Sequence, residues 1–206
     1  MTEKLFNSKT LVLIDAGHGK ETAGKRSPIW RDGSQLLEYD FNRKLASNFS
    51  QYLELGEISH IMLQDNDKDM PLSERVTLVN KLYAKYKGKY FVYLVSLHGN
   101  AADGIPRAEG VEVFTTKGDT SSDSIATKYY SELDKLGWKM RSDTSDKDPD
   151  KEENFYILKN TNCPAILTEN GFYTNEEECK KMLSFYWQKQ IALHHFNAAL
   201  QEEQIH

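Results

Sequence analysis

The sequence predicts an α/β sandwich, a mixed or mostly parallel sheet with helices on both faces. Three observations carry that expectation. Strand-like and helix-like stretches alternate along the chain, as they do where crossover helices join parallel strands. The run "KYFVYLVSLHGN" (89–100) is apolar nearly throughout, like a central strand covered on both sides. The 206 residues suffice for one substantial core and are few for two.

The elements follow in order. "LVLID" (11–15) reads as the first strand. Between Ser34 and Gly56, Leu37, Phe41, Leu45, Phe49 and Leu53 recur at every fourth position, one apolar stripe on a long helix that Gly56 stops. "IMLQD" (61–65) reads as a short strand. The next helix opens at Pro71, where a missing N–H costs nothing, and stops at Gly88. After the central strand, "GVEVFTT" (110–116) alternates and reads as half-exposed. "SSDSIATKYYSELDKLG" (121–137) reads as a helix with Ser and Asp near its start. "AILT" (165–168) reads as a short buried strand. In "TNEEECKKML" (174–183), Thr174 and Glu177 have the spacing of a capping box. A last helix runs from about Ser184 to near Gln201. Residues 141–154, "RSDTSDKDPDKEEN", are charge-dense and contain Pro149. They read as an exposed loop, because apolar segments resume on both sides.

Hydrophobic content of 39% and charged content of 28% fit a globular chain, and the net charge of −5 comes with no basic stripe, so nucleic acid is not an expected partner. No apolar run is long enough for membrane insertion. Cys163 and Cys179 form no CxxC pair and read as partly buried thiols.

Ligands of open α/β sheets sit beyond the carboxyl ends of the strands. Three strands here end in unusual chemistry: Asp15-Ala-Gly-His18-Gly, Ser96-Leu-His98-Gly-Asn100 and Thr168-Glu169-Asn170-Gly171-Phe172. If these strands are neighbours, two histidines and a glutamate converge on one rim. The glycines around His18 free its imidazole to point into a cleft, although a plain hydrogen-bonding role fits as well. Asp15 reads as a strand-end polar residue or as a group that orients a metal ligand from behind. His98 follows "VYLVSL" and is costly to bury without a partner. Glu169 follows "AIL", and a carboxylate there should titrate high unless a cation is near, which makes it a candidate acid–base. Glu38 taken alone reads as a favourable carboxylate in the first turn of a helix. Two histidines and a carboxylate can make an open zinc site with a fourth position for water. There is no HExxH, no GxSxG and no P-loop.

In order along the chain, "DAGHG" (15–19), "LLEYDFN" (36–42), "SLHGN" (96–100) and "TENGFYTN" (168–175) resemble the motifs of the zinc-dependent N-acetylmuramoyl-L-alanine amidases of bacterial cell-wall turnover and phage lysis. "LSERVTLVN" (72–80) and "EGVEVF" (109–114) also look like segments of that family. The resemblance implies one zinc ion (Zn2+) held by His18, Glu38 and His98, with Glu169 as the catalytic carboxylate. It implies one three-layer α/β/α domain over 1–206, with a core of about 10–200 and a mixed, mostly parallel sheet of about six strands. The implied substrate is peptidoglycan or a muropeptide, cut between N-acetylmuramic acid and L-alanine by a monomer. Glu169 would take a proton from the attacking water and pass it to the departing amine. Asn100 and Arg141 are placed to hold polar groups of the substrate, and for Asn100 a turn-stabilising hydrogen bond is an equal reading. The same chemistry would suit a zinc peptidase acting within the stem peptide, and the fold alone would suit a non-catalytic wall-binding module. "MTEKLFNSKT" lacks the apolar stretch of a secretory signal. The expectation is therefore a lysin-like protein, cytoplasmic until released onto the wall, or a chain whose signal has been removed.

Overall fold

The structure, a computed structural model, describes residues 1–206 apart from 103, 105–107 and 146. Among these residues, seven strands form one sheet: β1 (Thr2–Lys4), β2 (Thr10–Ala16), β3 (Ser59–Met62), β4 (Phe91–Asn100), β5 (Val111–Thr115), β6 (Lys151–Glu152) and β7 (Ala165–Phe172), in the order β1-β3-β2-β4-β7-β5-β6. The pairs β3–β2, β2–β4, β4–β7 and β5–β6 are parallel, and β1–β3 and β7–β5 are antiparallel. Among the described residues, six helices accompany them: α1 (Glu38–Leu55), α2 (Leu72–Tyr86), α3 (Asp123–Asp134), α4 (Tyr156–Asn160), α5 (Glu176–Leu183) and α6 (Phe185–Ile205).

The layers follow from the period of the strands. Val12 and Ile14 of β2 pack with Phe41, Leu45 and Phe49 of α1, in a core that α3, α5 and α6 complete. Leu11 and Leu13 point the other way and pack with Val76 and Val79 of α2 and with Ile157 and Leu158 of α4. A strand covered on both faces must be apolar at every position, which is why "LVLI" shows no alternation. The three-layer arrangement and the mixed sheet are as expected.

Several details differ from the sequence reading. The sheet has seven strands rather than about six, because the terminal strands β1 and β6, of three and two residues, are too short to register as apolar patterns. The strand expected at 61–65 lies at Ser59–Met62. All five residues of β5 are buried rather than half of them, because the segment that follows Met140 folds back over its polar side. That segment, expected as an exposed loop at 141–154, contributes β6 and buries Asp150 at 1% exposure; its residue 146 lies outside the described residues. The cap of α5 is Asn175, whose side chain accepts from the backbone N–H groups of Glu177 and Glu178, while Thr174 accepts instead from Ala102 N. Both cysteines are free and buried. Among the described residues, no helix is long and apolar enough to cross a membrane.

Candidate metal centre and active site

Because β2, β4 and β7 are adjacent and parallel, their carboxyl ends meet on one rim. His18 follows β2 with a φ of 60°, a left-handed conformation that costs a residue with a Cβ. The backbone around it is clamped through its carbonyls. Arg43 donates to Ala16 O and, at 2.7 Å, to His18 O; Asn42 Nδ2 donates to Gly17 O at 3.1 Å; Arg75 Nη1 donates to Ala16 O at 3.0 Å. Gly17 serves a different end. A Cβ there would lie 2.0 Å from Cε1 of His98, so the glycine is the space in which the His98 imidazole sits.

Glu38 opens α1 and is 1% exposed. Its Oε1 lies 3.2 Å from His18 Nε2 and 3.1 Å from His98 Nδ1, and the two rings meet edge to face with centroids 5.0 Å apart. One donor atom from each of the three residues falls within 4.8 Å of the others. Burial alone would raise the Glu38 carboxyl, but hydrogen bonds from His18 and His98 outweigh it and hold the group well below the usual carboxylate range. Burial likewise opposes charge on His98, and Glu38 overrides it, so that imidazole titrates above its usual value. Oε2 of Glu38 is buried with no hydrogen-bond partner among the described residues, and Lys25 Nζ stands 3.9 Å away. Two imidazoles converging on a carboxylate with a spare oxygen fit a zinc ion by donor type and number.

Glu169 of β7 is in direct register with His98 of β4. Its Oε2 is buried without a hydrogen-bond partner among the described residues. Burial pushes its carboxyl up to about 8; His98 opposes the shift, and Glu38 and Glu112 add to it. A cation held by His18, Glu38 and His98 would favour the ionised form, which is the form that accepts a proton. Asn170 ties the two strands together here, donating to His98 O at 3.0 Å and to Thr168 Oγ1 at 3.0 Å.

The remaining sequence candidates fall elsewhere. Asp15 hydrogen-bonds to neither histidine. It accepts from Arg75 Nη1 at 2.8 Å and Ser96 Oγ at 2.7 Å, and so acts on the His18 backbone through Arg75. Asn100 and Arg141 both bind Glu112, at 2.6 Å and 2.7 Å. Asn100 Oδ1 also accepts from Ala101 N at 2.8 Å. The residue reading gave no role to Lys25, Arg43, Glu112 or Lys151. Arg75 was visible only as part of "LSERVTLVN", because which carbonyls it reaches is a matter of tertiary placement. A cavity of about 200 Å3, lined by Asp15, His18, Met70, Arg75, His98 and Ile157, borders the histidines. A larger cleft of about 450 Å3 opens at the amino ends of the strands, by Phe91 and Pro164, away from this chemistry.

The family model described as N-acetylmuramoyl-L-alanine amidase matches residues 12–201. The chain is 27% identical over 187 residues to an N-acetylmuramoyl-L-alanine amidase, CwlM, of Bacillus licheniformis, covering 90% of this chain and 66% of that protein. It is 28% identical over 176 residues to an endolysin of Bacillus phage SPP1, covering 82% of this chain and 56% of the endolysin. The chain thus spans two thirds or less of these two relatives. The solved structure of an N-acetylmuramoyl-L-alanine amidase from Clostridium difficile 630 superposes with a TM-score of 0.80 at 27% identity, covering 94% of this chain and 96% of that one.

Proposed function

The chain belongs to the N-acetylmuramoyl-L-alanine amidase family, and from that premise we propose that it hydrolyses the amide between N-acetylmuramic acid and L-alanine of the peptidoglycan stem peptide, using zinc held by His18, Glu38 and His98. The observation that carries this reading is the convergence of those three side chains beside Glu169. An amide is a poor electrophile with a poor leaving group. When bound, zinc supplies Lewis-acid polarisation of the carbonyl and lowers the pKa of a water toward about 7. The protein does the rest. Glu169 takes the proton of the attacking water and delivers it to the departing amine. Arg43, Arg75 and Asn42 keep His18 in its left-handed conformation.

The place of action is the bacterial cell wall. Likeness to a phage endolysin supports release onto the wall at lysis; a secretory signal encoded in frame ahead of Met1 would overturn that finer reading. Mass spectrometry of purified, defined muropeptides after digestion tests the reaction itself. The expected products are an intact sugar with a free lactyl carboxylate and a peptide with an L-alanine amino terminus. New amino termini further along the peptide would identify a stem-peptide peptidase, and no release would identify a binding module.

A further inference from the structure

Next to Glu169 stands a second group of charges that the proposed reaction does not use. Glu112 of β5 is in register with Glu169 of β7, which is itself in register with His98 of β4. Paired residues of neighbouring strands share a face. His98, Glu169 and Glu112 therefore form a row across the rim, at steps of about 4.8 Å. Glu112 is 4% exposed, and its Oε1 accepts from Arg141 Nε and Lys151 Nζ, each at 2.7 Å, while its Oε2 accepts from Asn100. Two cations answer the one carboxylate that both touch, so neither is used up by it.

Arg141 is fixed as well as charged. Its guanidinium lies 5.3 Å from the centroid of the Phe172 ring. Its stem packs on Gly110, where a Cβ would stand 3.1 Å from Cγ of Arg141, at a φ of +116°. Its Nε is used by Glu112, and its terminal N–H groups have no hydrogen-bond partner among the described residues. Arg141 and Lys151 keep side-chain exposures of 39% and 31%, so an anion can reach both.

We propose that Arg141 and Lys151, seated on Glu112, form an anion subsite that binds a carboxylate of the stem peptide on the residue following L-alanine. The inference rests on the amidase reading and names a specificity determinant for it. Glu112, on which both cations are seated, lies two strands from His98, roughly 10 Å by strand spacing. That is about the reach of two to three extended residues. On the sugar side of the cut amide the substrate is neutral, whereas the peptide side carries carboxylates, so two accessible cations match the peptide side. A fork of unused guanidinium N–H groups suits a carboxylate in particular.

The experiment compares two muropeptides that differ only in whether the residue after L-alanine bears a free carboxylate or a carboxamide. The zinc-loaded wild-type protein is expected to prefer the carboxylate by about tenfold in kcat/KM, with the difference in KM, the size of a charge-assisted hydrogen bond. In R141Q/K151Q the preference should fall to near one. E112Q/R141Q/K151Q, which leaves no buried charge unpaired, should do the same and guards against a folding defect in the double variant. R141K, which retains charge but loses the fork, should fall between. Equal wild-type rates on both substrates, or a preference that survives the triple variant, overturns the subsite. Failure of the wild-type protein to release L-alanine termini from either substrate is the distinct result that overturns the amidase reading, and the subsite with it.

Discussion

Glu112 and Glu169 face each other across neighbouring strands, on the same face, and their surroundings are opposite. Glu112 receives Arg141, Lys151 and Asn100, and its burial is compensated. Among the described residues, Glu169 receives no hydrogen bond at Oε2, and burial drives its carboxyl up to about 8. A carboxylate oxygen that is buried and unpaired costs stability, and a fold retains one where chemistry uses it. One strand of displacement thus separates a carboxylate that organises other side chains from one poised to move a proton.

Glu169→Gln should give the largest effect, a loss of about 10²–10⁴-fold in kcat on muropeptides. Circular dichroism and zinc content should remain those of the wild type. Near-normal turnover would remove Glu169 from the chemistry and erase the contrast with Glu112. Gly17→Ala comes next. The new Cβ must displace the His98 imidazole, and zinc affinity by competition with a chelating dye should fall about 10–100-fold, as when a metal ligand loses its orientation. Unchanged affinity would mean that His98 does not need its present position.

Glu112→Gln should be milder in catalysis and more visible in stability. Leaving two half-exposed cations without their carboxylate should cost roughly 1–3 kcal/mol in denaturant unfolding. Turnover on an amidated muropeptide should fall less than it does for Glu169→Gln. A loss as deep as that of Glu169→Gln would show that the two carboxylates share the proton transfer.

Asp150 supplies the control. It is a buried carboxyl, 1% exposed and held by Thr115 Oγ1 at 2.8 Å, and it stands outside the site. Burial, reinforced by Asp148, raises it to about 7. The folded form therefore binds the proton more tightly than the unfolded chain, whose carboxyl titrates near its ordinary value of 3.8. Stability from this group is greatest at low pH and declines as pH rises from about 4 to about 7. Asp150→Asn should flatten that part of the stability–pH curve and raise the unfolding midpoint at pH 8. An unaltered slope would place the titration elsewhere.

The sequence made one of these two regions visible and hid the other. His18, His98 and Glu169 stood out because each ends a strand that is otherwise apolar. Glu38 did not: at the first turn of α1 it fits an ordinary helix start, and only the resemblance to amidases marked it as a ligand. Glu112 alternated with valines in "GVEVF" and looked solvated, because nothing local says that residues 141–152 will fold over it. Arg43 and Arg75 are surface-type residues on α1 and α2 by composition, and their work on the carbonyls of residues 16–18 depends on how those helices sit against β2. Period and composition gave the layers. Register and loop placement, which decide who faces whom, came only with the three-dimensional arrangement.

Zinc stoichiometry measured side by side in the wild type, His98→Ala and Glu169→Gln tests the central claim most directly, since it separates holding the metal from using it. One zinc per chain in the wild type and in an inactive Glu169→Gln, with near-complete loss in His98→Ala, is the predicted result. Full occupancy in His98→Ala, or loss of zinc in Glu169→Gln, would contradict the assignment of His18, Glu38 and His98 as ligands and Glu169 as the acid–base.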